Sequence, residues 1–278
     1  MGIKENWWRL NYHTVRLAGI PAAKLVLRIN LSSEGEIPNT RPVFLAPVHR
    51  TSVDTYVMVR VAREFISFVS TDSFGHGRVV NYLQRHSTRA MGSIIWQKNG
   101  IPNARHRAVA LAHDVEDKLD RRLIVAAFTQ GEFQPHSVES VEDGLIGLLR
   151  RYETRYEKEK GHELRIPVVP VGIEYEKNSN GFEQAGALQW ISRHVPQFPD
   201  WTVPAFGSKV VVRFGEAQYF DERSPRQLTE AVMREAANLS NIPYNIAVQR
   251  TQGESHRESW RLRSLRGWSD DKTRKVRT

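Results

Sequence analysis

Apolar positions along this chain come in short runs separated by amphipathic stretches, and their spacing predicts an alternation of strand and helix. Val43–Ala46 reads as a short buried strand, followed by a helix capped by Thr51 or Ser52 and running to about Glu64. Phe65–Val69 and Gly92–Trp96 are further strand candidates. Asn103–Leu119 places Ala108, Leu111, Val115 and Leu119 on one helical face. Leu123–Phe128 is strongly apolar and short, as a buried strand is. A helix is expected from about Val138 to Lys160, strands at Ile166–Tyr175 and Lys209–Phe214, and a last helix at Ser224–Leu239. This order predicts an α/β fold with a central mixed β-sheet flanked by helices.

Residues 3–31 are helical in pattern but interrupted at Gly19-Ile20-Pro21, where proline removes a donor and clashes with the preceding turn. The expectation is an N-terminal amphipathic helical pair. Residues 177–208 show little periodicity and read as a loop excursion. Three segments follow: amphipathic helices over 1–35, a main domain over 36–249 and a basic tail over 250–278.

Charge changes the picture at the two ends. The net charge of +9 is carried by residues 1–30 and 250–278, while basic and acidic groups balance in between. Both ends also hold tryptophans: Trp7, Trp8, Trp260 and Trp268. Basic segments with interleaved indoles suit an anionic lipid surface. Nucleic acid attracts the same charges, and solubilising tails would look alike, but the membrane surface is the preferred partner here and nucleic acid is not expected. No apolar stretch reaches the ~20 residues needed to span a bilayer. The chain has no cysteine, which excludes disulfides and thiolate metal sites and suits a reducing compartment. The expected location is cytoplasmic, peripheral to the membrane.

The candidate chemistry lies in the stretch APVHRTSVDTYV, residues 46–57. On one helix, His49 and Asp54 would point about 140° apart. They meet only if His49 sits at a strand exit and Asp54 in the first turn of the next helix. An aspartate placed so can fix the imidazole tautomer and stabilise the imidazolium, which is the base-and-orienter half of a catalytic triad. Without cysteine or a GxSxG elbow, the nucleophile expected is a substrate hydroxyl activated by His49 for attack on an acyl group. The same spacing also fits a histidine merely bonded to a helix-capping aspartate. His106 and His113 lack partners at ligand spacing, so no metal site is expected.

Four stretches in order carry a resemblance. HRTSVD resembles the HxxxxD block of the glycerolipid, or 1-acylglycerol-3-phosphate (lysophosphatidate), acyltransferases. Gly92-Ser-Ile-Ile-Trp-Gln-Lys98 is similar to that family's second block, Phe128-Thr-Gln-Gly131-Glu-Phe to its third, and Ile166-Pro-Val-Val-Pro-Val-Gly-Ile to its fourth. The resemblance covers roughly residues 40–175. It implies an O-acyltransferase of phospholipid biosynthesis in which His49 and Asp54 are catalytic. Arg50, Lys98, Gln130, Gly131 and Glu132 would be substrate-binding. The donor would be acyl-CoA or acyl carrier protein and the acceptor a lysophospholipid, with no metal, bound cofactor or obligate protein partner. Three departures bear on the acceptor: Lys98 stands where the family has arginine, Gln130 where it has glutamate, and Phe133 where it has a phosphate-holding arginine. A phosphate-free acceptor such as a glycolipid or polyol, or a catalytically degenerate lipid-binding protein, are the alternatives.

Overall fold

The computed structural model describes residues 3–14, 16–17, 28–51, 53–71, 86, 88–96, 104–131, 134, 136–176 and 207–246. The expected second N-terminal helix, the loop over 177–206 and the basic tail lie outside the described residues. So do Ser52, Lys98, Glu132 and Phe133.

Seven strands form one sheet: β1 (Asn30–Glu34), β2 (Val43–Pro47), β3 (Ile66–Thr71), β4 (Ile94–Trp96), β5 (Ile124–Ala127), β6 (Val168–Tyr175) and β7 (Lys209–Phe214). The helices are α1 (Ile3–Thr14), α2 (Asp54–Val61), α3 (Ala104–Asp120), α4 (Gly144–Lys160) and α5 (Pro225–Leu239). The strand order is β1-β7-β6-β2-β5-β3-β4. Every pairing is parallel except β6 with β7, so the sheet is mixed, as expected.

Burial follows position in the sheet. The central strands β2 and β5 are buried along their whole length, which is why VFLAP and IVAA read as continuous apolar runs. At one edge, β1 has the sequence NLSSE and is largely exposed. Its residues fall in the segment 1–35 for which the sequence predicts amphipathic helices, and the structure corrects that. Its strand state comes from pairing with β7, residue for residue from Asn30↔Lys209 to Glu34↔Arg213. The fourth helix starts at Gly144 instead of Val138. Val138 instead bridges to Tyr244 in extended conformation. The last helix is bounded as its sequence suggests, by a capping box in which Ser224 and Gln227 exchange side-chain and backbone bonds.

β2 exits the sheet centrally, between β6 and β5. In α/β sheets a site forms where chains leave the carboxyl ends of parallel strands. Pro47 closes β2, the buried Val48 bonds to the carbonyl of Val171, and the chain then turns into α2 within six residues.

Candidate active site

The turn from β2 into α2 wraps round one carboxylate. Asp54, the first residue of α2, is fully buried. Its Oδ2 accepts from the backbone N–H of Arg50 at 2.6 Å and of Thr51 at 2.8 Å, and lies 3.0 Å from His49 Nδ1. Its Oδ1 lies 2.8 Å from Thr51 Oγ1 and accepts from the hydroxyl of Tyr175 on β6. A carboxylate is acceptor-only when ionised, so a shell made entirely of donors suits the charged form. The expected helix cap is absent: Val53 holds the N-cap position without a side-chain bond. The Thr51 hydroxyl is turned to Asp54 instead.

His49 and Asp54 therefore meet across the strand-to-helix turn, as their spacing required. With Nδ1 donating to Asp54, the lone pair of the imidazole falls on Nε2. The ring stacks on Phe128, centroids 3.9 Å apart and 18° from parallel, so it cannot tilt without losing that contact. Its side chain keeps 19% exposure, which leaves an approach for substrate. The backbone of His49 is clamped too. Its N–H donates to the Gln130 side-chain carbonyl, and its C=O accepts from Gln134 N at 2.8 Å.

Two residues expected to face substrate point elsewhere. Arg50 is 3% exposed, and its guanidinium donates to Ile173 O at 3.1 Å and Ser240 O at 3.4 Å. It also lies over the Tyr175 ring at 5.5 Å. Burial pulls its pKa below the ordinary value, against the opposing attraction of Asp54. Gln130 is likewise buried and its amide is used at both ends, donating from Nε2 to Gln134 Oε1 at 3.2 Å. A glutamine suits that geometry. Gln134 Oε1 also accepts from Glu139 N at 2.8 Å, and a glutamate at 130 would set a second acceptor against it. Gln130 thus holds the loop after β5 to the His49 backbone.

Gly131 lies exposed in the following turn at a φ of +82°, where an added Cβ would come within 3.0 Å of Glu142 Oε1. Lys98 and Glu132 lie outside the described residues.

Tyr175 escaped sequence reasoning. It stands 121 positions from Asp54 and reads only as one more apolar residue of β6. Burial first, then the neighbouring carboxylate, push its phenol well above the ordinary value, so it serves as a neutral donor.

A solved structure shares this fold. The crystal structure of the 1-acyl-sn-glycerophosphate (LPA) acyltransferase PlsC from Thermotoga maritima matches with a TM-score of 0.52, over 86% of this chain and 83% of that one, at 18% identity. No protein-family model matches the chain. No curated protein matches it significantly by sequence.

Proposed function

We propose that this chain is an O-acyltransferase acting on lipid substrates. The observation that carries the reading is the 3.0 Å contact of His49 Nδ1 with a buried, fully donor-surrounded Asp54, at the carboxyl end of the central strand of a fold shared with an LPA acyltransferase. His49 Nε2 takes the proton of an acceptor hydroxyl while that oxygen attacks the carbonyl of an acyl thioester, acyl-CoA or acyl carrier protein. The tetrahedral intermediate collapses, the C–S bond breaks, and the imidazolium returns its proton to the departing thiolate. Asp54 holds the tautomer and offsets the charge that develops on the ring.

Lysophosphatidate is the first acceptor to test. A phosphate-free hydroxyl acceptor is the second, favoured by Phe133 in the position where the resembling family keeps a phosphate-binding arginine. Peripheral membrane attachment on the cytoplasmic face fits the first helix, whose Trp7 and Leu10 are 57% and 58% exposed. Among the described residues no helix is long and apolar enough to cross a membrane. The test is transfer of labelled acyl groups from acyl-CoA to a panel of lysophospholipid, glycolipid and polyol acceptors. His49→Ala should lose roughly 10²–10⁴-fold in rate on the preferred acceptor. Undiminished turnover in that variant would refute the assignment.

A further inference from the structure

At the amino end of the sheet, away from His49, a cavity of about 350 Å³ is lined by Arg9, His13, Arg41, Arg63, Arg122 and a single acid, Glu64. The length of β2 alone separates the two ends by roughly 13 Å. Arg41 already engages Glu64 through both carboxylate oxygens at 2.5 Å, so that acid is spent on Arg41. Arg63 and Arg122 have no acidic partner among the described residues. They occupy matching places, just after α2 and α3 and just before the adjacent parallel strands β3 and β5.

Both arginines have left-handed backbones, with φ of +53° and +56°. Glycine or asparagine is the ordinary residue where a helix ends this way. The carboxyl ends of two helices attract cations, and that is the plain explanation for a basic residue there. It falls short by magnitude. Two helix ends supply about half a negative charge each. With Glu64 included, the guanidinium groups of Arg41, Arg63 and Arg122 still leave an excess of about one positive charge beside the cavity.

The first helix tells which anion fits. Trp8 and Tyr12, four apart, are buried against the domain. Arg9 and His13, also four apart, turn to the cavity. Trp7 and Leu10, with Leu17 just beyond the helix at 76% exposure, carry apolar surface outward. Cations therefore lie between a buried apolar stripe and an exposed one. An interfacial helix orders its groups in the same way, with the apolar face among acyl chains and cations level with the headgroups.

The geometry points to a binding site for the phosphate of an anionic membrane lipid in this cavity, reached by Arg63 and Arg122 from below and Arg9 from the helix. The site is independent of the acyl-transfer reading and stands whether or not His49 is catalytic.

The test uses the full chain and vesicles of phosphatidylcholine, alone or mixed four to one with phosphatidylglycerol, in a flotation assay. Arg63→Asn with Arg122→Asn removes the charge while keeping a residue that tolerates the left-handed backbone. Each cation near an anionic surface contributes about 1 kcal/mol, so the double variant should bind the mixed vesicles roughly 30-fold more weakly. Lys158→Gln with Lys160→Gln removes two charges from the exposed end of α4 and should change affinity less than about threefold. If the arginine pair fails to fold, Arg122→Asn alone should weaken binding about fivefold. Equal losses in the arginine and lysine variants, or full affinity in the arginine variant, would overturn the site. So would saturable binding of inorganic phosphate that the arginine variant abolishes while its vesicle affinity stays intact.

Discussion

Arginine does opposite things at the two ends of this sheet. At the carboxyl end, Arg50 is buried, its guanidinium directed to the carbonyls of Ile173 and Ser240 and covering the ring of Tyr175. Beside it both oxygens of Asp54 are engaged, by the backbone of Arg50 and Thr51, by His49 and by the hydroxyls of Thr51 and Tyr175. At the amino end, Arg63 and Arg122 stand beside a cavity with one acid already engaged. The contrast separates a cation that fixes geometry from cations that present charge. The first kind makes a base reproducible in position, and the second kind makes a surface that needs a counter-charge from outside.

The most severe way to break the comparison is Asp54→Asn, which keeps the shape but offers the imidazole a neutral partner. Acyl transfer should fall by roughly 10³–10⁴-fold in single-turnover kinetics on the folded protein, and the thermal midpoint should fall as well, because the new amide N–H groups face donors and Arg50 loses its carboxylate. Next in size is the contrast between the arginines themselves. Arg50→Leu leaves Asp54 without its nearest buried cation and two carbonyls without a donor. It should cost about 3 kcal/mol of unfolding free energy in urea. Arg63→Asn should stay within about 0.5 kcal/mol. Similar losses in both would erase the distinction.

Tyr175→Phe sharpens the carboxyl-end account with a smaller effect. Removing one donor from Oδ1 loosens the carboxylate that orients His49. The expected result is a five- to tenfold loss in kcat/KM, carried by kcat. A loss confined to thermal stability, with kcat/KM intact, would mark Tyr175 as mere packing.

The smallest effect concerns Glu153 on α4, which accepts from Ile166 N at 2.7 Å near the amino end of β6. Burial raises its carboxyl from the ordinary value to about 7. The folded state thus binds a proton more tightly than the unfolded state does, and stability is lost as pH rises from about 4.5 through 7. Glu153→Gln keeps an acceptor for Ile166. It should raise the thermal midpoint at pH 8 and leave it nearly unchanged at pH 4.

How much of this was legible beforehand depended on sequence distance. His49 and Asp54 sit five apart, so helix geometry alone showed that a strand-to-helix turn had to lie between them. The central strands were legible because burial on both faces leaves an apolar run. Tyr175 and Ser240 were not, because their partners stand 121 and 190 positions away and no local pattern marks a hydroxyl or carbonyl as reserved. Arg50 and Gln130 were misplaced for a related reason. A guanidinium or amide beside a histidine–aspartate pair reads as facing substrate, whereas here tertiary contacts turn both inward. Thr51, like Ser52, reads as a cap because capping is the commonest local use of such a hydroxyl.

The contact between Arg50 and Ser240 also has a consequence in time. Ile173 N donates to Ser240 Oγ at 2.9 Å, so the end of α5, β6 and the β2–α2 turn are tied at one point. During synthesis, His49 and Asp54 leave the ribosome early, but the carbonyl under Arg50 arrives only with residue 240. Until the last helix docks, Arg50 lacks the Ser240 carbonyl that ties the turn to that helix. The packing of the β2–α2 turn is thereby linked to docking of the last helix.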